Sequence, residues 1–448
     1  MEKVTTKGSQ TIERLFDAGT FVETGAFIKR KDGELTGVVC GYGSIDGKLA
    51  YAFSQDSDRA KGAFDAVQAN KIAALYQMAM KNGAPVIGVF DSVGAMVCDG
   101  SSAMAAYGTV LAAVSAASGV IPQIAVIKGV CAGMAATVAA MFDFAVTIKD
   151  TSEWYVGAPF LLGKEIGTAA YTEENGLSSI SAATEEEALA TAAKLVSILP
   201  SNNEEGIVAD EASDDVNRAL ASGLTGEALL TAIADGAATV MVGASYAAQM
   251  QTGFAVIGGV TCGIVSACGA ITGEGAKKAA KLIGFCDSFS IPVVTLVDSI
   301  GVALDAKEEK APLAAQLGKL AMAYATATTP KITVVVGKAY GAAFTLLGSK
   351  ALGADMVYAL PTAEISVMAP ASAVAFLWND RITAEVSRAS LEETWVKENA
   401  SPEVVAADGS IDDVIDPAEL RQRICAAVYM LQMKNSGEPS RKHCNLPL

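Results

Sequence analysis

The stretch Ala84-Pro-Val-Ile-Gly-Val-Phe-Asp91-Ser92-Val-Gly94 returns 207 positions later as Ile291-Pro-Val-Val-Thr-Leu-Val-Asp298-Ser299-Ile-Gly301. Each copy reads as a buried apolar strand ending in Asp-Ser-x-Gly. The echo continues downstream. Ile121-Pro-Gln-Ile-Ala-Val-Ile-Lys128-Gly-Val-Cys-Ala-Gly133-Met-Ala returns as Thr329-Pro-Lys-Ile-Thr-Val-Val-Val-Gly337-Lys-Ala-Tyr-Gly341-Ala-Ala, with Gly133 and Gly341 separated by 208 positions. Paired landmarks at nearly constant spacing imply an internal duplication, so the chain is expected to be two related domains, with room for two ligands at a site between them.

Outward from these strands the order of elements repeats as well. Leu35 to Ser54 reads as a hairpin about Asp46-Gly47, followed by a helix from Arg59 to Lys81 that closes at Asn82-Gly83, then the strand Pro85 to Phe90. The second copy offers Gly258 to Ser266, a helix from about Gly275 to Phe285, and the strand Pro292 to Val297. This is a layered α/β pattern. Thr184 to Asp235 is acidic and polar and reads as a linker with helical patches at Ala188 to Ile198 and Asp214 to Leu220. Its charge runs are expected to be solvated faces. The expected division is therefore 1–230, with the linker from about 184, and 231–448. After Met368 the chain turns more polar and helical and ends in a basic tail at Arg441-Lys442-His443.

Composition limits the function. A net charge of −16 argues against a nucleic-acid partner, which would need clustered Lys and Arg. Eight cysteines form no CxxC pair and fit reduced, packed thiols in a cytoplasm. The first residues, Met1-Glu-Lys-Val-Thr-Thr-Lys-Gly, lack the apolar core of a signal peptide, so no export is expected. The uncharged run from Gly100 to Ile127 is long enough to span a bilayer, but Gly108, Gly119, Pro122 and four serines interrupt it, and it reads as a buried helix followed by a buried strand.

A single histidine, His443, nearly excludes a Ser-His-Asp or Cys-His nucleophile and a multi-histidine metal site; no metal is expected. Phosphate-binding glycine motifs are missing: Gly41-Tyr-Gly43 lacks the third glycine. Asp91 and Asp298 at strand ends read first as turn residues. What remains is the small-residue turn after each second strand, at Gly133-Met134 and Gly341-Ala342-Ala343. There a strand feeds a helix, so free backbone N–H groups and the positive helix end converge on one spot. Such donors stabilise an oxyanion without side-chain chemistry. The plainer reading of each turn is close helix–strand packing; two at equivalent places favour function.

These residues resemble the biotin-dependent carboxyltransferase family, especially the propionyl-CoA carboxylase β subunit and the methylmalonyl-CoA decarboxylase α subunit, over nearly the whole chain. The resemblance rests on Phe53-Ser-Gln55-Asp56, Gly83-Ala-Pro-Val-Ile-Gly88, Ser118-Gly-Val-Ile-Pro-Gln123, Ile148-Lys-Asp-Thr-Ser152, Lys338-Ala-Tyr-Gly341, Pro361-Thr-Ala-Glu364-Ile and the closing Arg441-Lys-His-Cys-Asn-Leu-Pro-Leu448. It implies two crotonase-like domains, acyl-CoA on the first and biotin on the second. It also implies a homo-oligomer, dimer or hexamer, with the site across a subunit interface. Biotin would arrive on a separate biotin carboxyl carrier protein, with a biotin carboxylase or a membrane decarboxylase subunit as further partner. Its ureido nitrogen would take the α-proton. Gly133 and Met134 would hold the thioester enolate oxygen, and Ala342 and Ala343 the ureido oxygen. Ser92, Gly94, Ala95, Ala132, Gly341 and Thr345 would contact substrate, with Thr345 at the acyl-pocket position.

Several positions depart from the family pattern. Met134 replaces a glycine, Asp91-Ser-Val-Gly94-Ala-Met96 lacks a glycine and an arginine, and Asp305-Ala-Lys-Glu-Glu-Lys310 replaces a glycine-rich segment beside the biotin pocket. Two other readings stay open: a scaffold or regulatory subunit with reduced turnover, and a crotonase-like hydratase or thioesterase that needs no biotin.

Overall fold

A computed structural model describes residues 5–30, 32–207, 209–435 and 447. The basic tail at 441–443, His443 and the closing motif apart from Pro447 lie outside the described residues.

The chain divides into two compact units, Met1–Gly206 and Ile207–Leu448. The first contains strands β1 (Val22–Thr24), β2 (Val38–Ile45), β3 (Lys48–Gln55), β4 (Val86–Ser92), β5 (Gln123–Ala132), β6 (Phe144–Ile148), β7 (Glu153–Tyr155) and β8 (Ile180–Ala182). The second contains β9 (Thr239–Val242), β10 (Met250–Ile257), β11 (Val260–Ile271), β12 (Val293–Val302), β13 (Lys331–Tyr340), β14 (Met356–Ala359), β15 (Glu364–Ser366) and β16 (Asp413–Val414). The first sheet runs β1-β2-β3-β4-β5-β6-β8 with β7 on β5, and the second runs β9-β10-β11-β12-β13-β14-β16 with β15 on β13. The two topologies match strand for strand. In each, the first two pairings are antiparallel and the rest parallel. The α/β duplication expected from the sequence is thus present.

Local chemistry explains the boundaries. Asp46 and Gly47 carry positive φ (50° and 77°), the conformation a two-residue hairpin needs. The first crossover helix is Ala66–Asn82, not a helix from Arg59, because Asp65 caps it by accepting the Gln68 N–H at 2.7 Å. Gly83 ends it in the left-handed conformation. Thr272 does the same capping service for Gly273–Ser288. Helices Ala66–Asn82 and Ser101–Ala117 pack together, the former against β2 and β3; Gly273–Ser288 and Leu313–Thr326 do the same in the second unit, the former against β10 and β11. The uncharged run resolves into helix Ser101–Ala117 and strand β5, and among the described residues no helix is long and apolar enough to cross a membrane.

The segment expected to be a linker is not one. Thr184 caps helix Glu185–Ile198, which packs on β5 and β6, and its three glutamates occupy the positive first turn. Glu185 is no solvated bystander: it accepts from Thr11 at 2.9 Å and pairs with Arg14. Asp214 to Leu220 forms a loop instead of a helix, because Arg218 turns its guanidinium to Asp214 (2.8 Å) and to the carbonyl of Ala232 (2.9 Å). Leu220, Leu229, Leu230 and Ile233 join the core of the second unit. The fully buried Arg421 fastens this region, bonding Asp235 at 2.7 Å and the carbonyl of Asp215 at 3.1 Å. The division between units accordingly falls at 206/207 and not after 230.

Candidate active site

The two small-residue turns have the same backbone. Gly133 (φ 62°, ψ −127°) links β5 to helix Met134–Ala140, and Gly341 (φ 55°, ψ −124°) links β13 to helix Ala342–Leu346. Only glycine enters this region without strain. Each glycine spends its own amide on the neighbouring short strand: Gly133 donates to the carbonyl of Tyr155 at 3.0 Å, and Gly341 to that of Ser366 at 2.8 Å. The expectation that the Gly133 N–H faces a ligand is therefore corrected. At the first turn the amides matching Ala342 and Ala343 are those of Met134 and Ala135, one and two residues into the helix. No side chain caps either helix, and the amides of the first two helical residues have no intrahelical acceptor.

The non-glycine residues here are unstrained. Met134, Ala342 and Ala343 are absent from the residues with positive φ, so a side chain at position 134 leaves the turn intact. Met134 is 42% exposed. Ala342 is exposed, whereas the side chain of Ala343 is buried.

A second glycine sits beside each turn. In β4, register against β5 shifts between Phe90 and Ser92, and in β12, register against β13 shifts between Val297 and Ser299. Asp91 and Asp298 occupy these irregularities. Gly129 and Gly337 leave room for their carboxylates, and Asp298 Oδ1 accepts the Lys338 N–H at 2.9 Å. The turn reading of both aspartates is corrected: they lie within β4 and β12, at strand irregularities and not in turns. The next residues, Ser92 and Ser299, are fully buried and accept the amides of Gly94 (3.2 Å) and Gly301 (3.4 Å). Gly94 (φ 105°) then passes over the carbonyl of Ala132 and Gly301 (φ 112°) over that of Tyr340, each with a Cβ position 3.5 Å from the oxygen. Ser92, Gly94, Ala132, Gly133 and Met134 thus come together in the first unit. Ala95 is exposed and bridges to Phe64.

In the second unit the turn opens into a cavity of about 520 Å³. Gly341 and Ala342 form part of its wall with Ile300, Gly301, Leu304 and Leu313. Among the described residues Glu309 is the one charged residue lining it. Thr345 is exposed and is not among the lining residues. Tyr340, beneath the turn, donates its phenol to Glu364; burial first, and that hydrogen bond second, push it well above the usual tyrosine range, so it stays a neutral donor. Sequence reasoning missed Glu309, Tyr340 and the glycines under the aspartates. The repeated spacing of Gly129 and Gly337 was a readable signal for the last pair. Among the described residues no cluster of His, Cys, Asp or Glu is arranged to hold a metal ion.

Residues 6–446 match the family model described as the carboxyl transferase domain. The chain belongs to the carboxyl transferase family. This carboxyltransferase is 34% identical to the methylmalonyl-CoA decarboxylase subunit alpha of Veillonella parvula, covering 100% of the chain and 95% of the relative. It is also 34% identical to the carboxyltransferase subunit of propionyl-CoA carboxylase from Haloferax mediterranei, over 99% and 94% of the two chains. Among solved structures it is similar to transcarboxylase 12S, a hexamer with methylmalonyl-coenzyme A and methylmalonic acid bound, with a TM-score of 0.92, 32% identity and coverage of 98% and 92%. The likeness extends over both units, and the carboxyltransferase has the duplicated crotonase-like fold that the resemblance implied.

Proposed function

We propose that this carboxyltransferase moves a carboxyl group between a short-chain acyl-CoA, held on the first unit, and biotin carried by a separate protein, received by the second. The observation that carries the reading is the matched pair of turns at Gly133 and Gly341, each ending a strand and opening an uncapped helix.

On this reading the Met134 and Ala135 amides receive the thioester oxygen. When the carboxyl group leaves a malonyl-type CoA, the electron pair of the breaking C–C bond moves through the α-carbon to that oxygen and leaves an enolate. Donors already aimed at the oxygen stabilise the charge as it develops, and each is worth about 2.7–4 kcal/mol of barrier in comparable sites. The same donors serve carboxylation, since one transition state governs both directions.

The cavity of the second unit fits biotin on its own geometry. Its walls are mostly aliphatic, it lies against the Gly341 turn, and its volume of about 520 Å³ suits a small neutral bicycle. Biotin, when bound, supplies a ureido group that gives or accepts the carboxyl group. Ala342 and Ala343 would hold the ureido oxygen, while Ile300, Leu304 and Leu313 would exclude water. Gly133 and Gly341 aim the turns through their conformation, and Thr345 retains only the acyl-pocket role implied by the resemblance.

The reading carries with it a biotinylated carrier protein, a biotin carboxylase or membrane decarboxylase subunit, a homo-oligomer and a cytoplasmic setting. The unstrained backbone at Met134 supports an active chain over a scaffold, and the separate cavity gives the second repeat a task that a simple hydratase would not have. The test mixes the purified chain with free biotin and carboxyl-labelled methylmalonyl-CoA. Label should pass to biotin, and should not leave the CoA ester without it. Absence of transfer with malonyl-type, propionyl- and acetyl-CoA substrates in either direction would overturn the proposal.

A further inference from the structure

Residues 303–312 join β12 to helix Leu313–Thr326 and, through Leu304 and Glu309, form part of the cavity wall near the Gly341 turn. Three contacts order this segment. The Ala303 amide donates to the carbonyl of Ile271 at 2.9 Å. Asp305 Oδ1 accepts the amides of Lys307 (2.8 Å) and Glu308 (3.0 Å), capping the short helix Ala306–Lys310. Glu308, the buried residue of that helix, reaches 35 positions back and accepts the Gly273 amide on Oε2 at 2.7 Å.

Gly273 is the first residue of a helix of 16 residues, and the Thr272 cap takes the Gly275 amide, so Glu308 satisfies a donor that the cap does not. Glu308 is 8% exposed, and the donor its carboxylate accepts is the Gly273 amide. A carboxylate is costly to bury for one hydrogen bond, and the positive helix end offsets only part of that cost. By the 207-residue spacing the matching position in the first unit is Ser101, so the device belongs to one repeat alone.

We propose that Glu308 is a positioning residue for the ligand of the second unit. Its bond to Gly273 pins residues 303–312 and thereby holds Leu304 and Glu309 against the ligand that the Ala342 and Ala343 amides receive. The inference rests on the carboxyl-transfer reading for the ligand's identity, but the pinning itself does not.

The experiment compares Glu308→Ala and Glu308→Gln with the native chain. Amide hydrogen exchange at 303–312 should accelerate at least about tenfold in Glu308→Ala, with residues 276–288 unchanged, and stay within about threefold in Glu308→Gln, which keeps an acceptor oxygen. In the label-transfer assay Glu308→Ala should raise KM for free biotin about tenfold and leave KM for methylmalonyl-CoA within about twofold. Unchanged exchange at 303–312 in Glu308→Ala, or equal rises in both KM values, overturns the inference. If the native chain transfers no label, that failure belongs to the carboxyl-transfer reading, and the exchange result alone decides whether Glu308 holds the wall.

Discussion

Asp298 lies so close to Gly337 that no side chain fits at 337: a Cβ there would fall well inside contact distance of the Asp298 carboxylate. Asp91 and Gly129 repeat the arrangement in the first unit, with the Cβ position 2.5 Å from Oδ1. In both units the carboxylate sits in the register shift just before the buried serine that supports the next glycine. Asp298 also accepts the Lys338 amide at 2.9 Å and so ties β12 to β13 just ahead of the Gly341 turn.

This contact predicts a non-additive pair. Gly337→Ala should destabilise the protein by about 1–3 kcal/mol through overpacking. Adding Asp298→Ala removes the obstructing carboxylate, so the double variant should be more stable than the sum of the single effects by at least about 0.5 kcal/mol. Urea unfolding of the four proteins measures the cycle; strict additivity would show that the two positions do not touch.

The turn glycines should differ from one another. Both need positive φ, so alanine at either costs about 1–3 kcal/mol in strain. At Gly133 a Cβ meets nothing within 4 Å, whereas at Gly341 it meets the carbonyl of Val367 at 3.0 Å. Gly341→Ala is expected to lower the unfolding midpoint more than Gly133→Ala.

The repeat, the strand ends and the glycine turns were legible in the sequence because each is local: a buried strand is an apolar run, and positive φ calls for glycine. Long-range partners were not. Nothing near Gly133 in the sequence shows that its amide belongs to Tyr155, which arrives on another strand. The acidic run at Glu185 to Glu187 read as solvated, although Thr184 before it was a visible cap signal; its packing on β5 and β6 decided the outcome. Asp214 and Arg218 have helical spacing and do pair, yet Arg218 also serves a carbonyl of another helix, and tertiary bonding overrides propensity. The replaced segment 305–310 looked like lost binding chemistry and instead carries its own anchor, Glu308.

Removing the guanidinium at Arg421 should be severe. Asp235, its partner, also accepts the amides of Gly258 and Gly259, each at 2.8 Å. Arg421→Met leaves that buried carboxylate without a cation and should cost about 3–5 kcal/mol. A loss under about 1 kcal/mol in chemical unfolding would contradict the assignment of the pair as the fastening of residues 207–235.

Lys278 makes stability pH-dependent on the alkaline side. Burial lowers its ammonium from 10.5 to about 8. Between those values the unfolded chain binds more protons than the folded one, so the Lys278 contribution to stability rises as pH increases from about 8 and levels off near 10.5. Its bonds to the carbonyls of Gly243 (2.6 Å) and Tyr246 (2.7 Å) oppose that loss of charge without a carboxylate to help. Lys278→Met should flatten this part of the stability profile measured by urea unfolding at several pH values; an unchanged slope would show that the lysine keeps its ordinary titration.

In the proposed reaction backbone amides at the two turns polarise the reacting oxygens, and proline at the first helical residue removes one such donor at a time. Met134→Pro and Ala342→Pro each delete one N–H at a position where the helix tolerates proline. The measurement is kcat for carboxyl transfer from methylmalonyl-CoA to free biotin, with the unfolding midpoint as control. Each variant should lose about 10²–10³ in kcat while remaining folded. Folded variants that retain kcat within about threefold of the native chain would contradict the account.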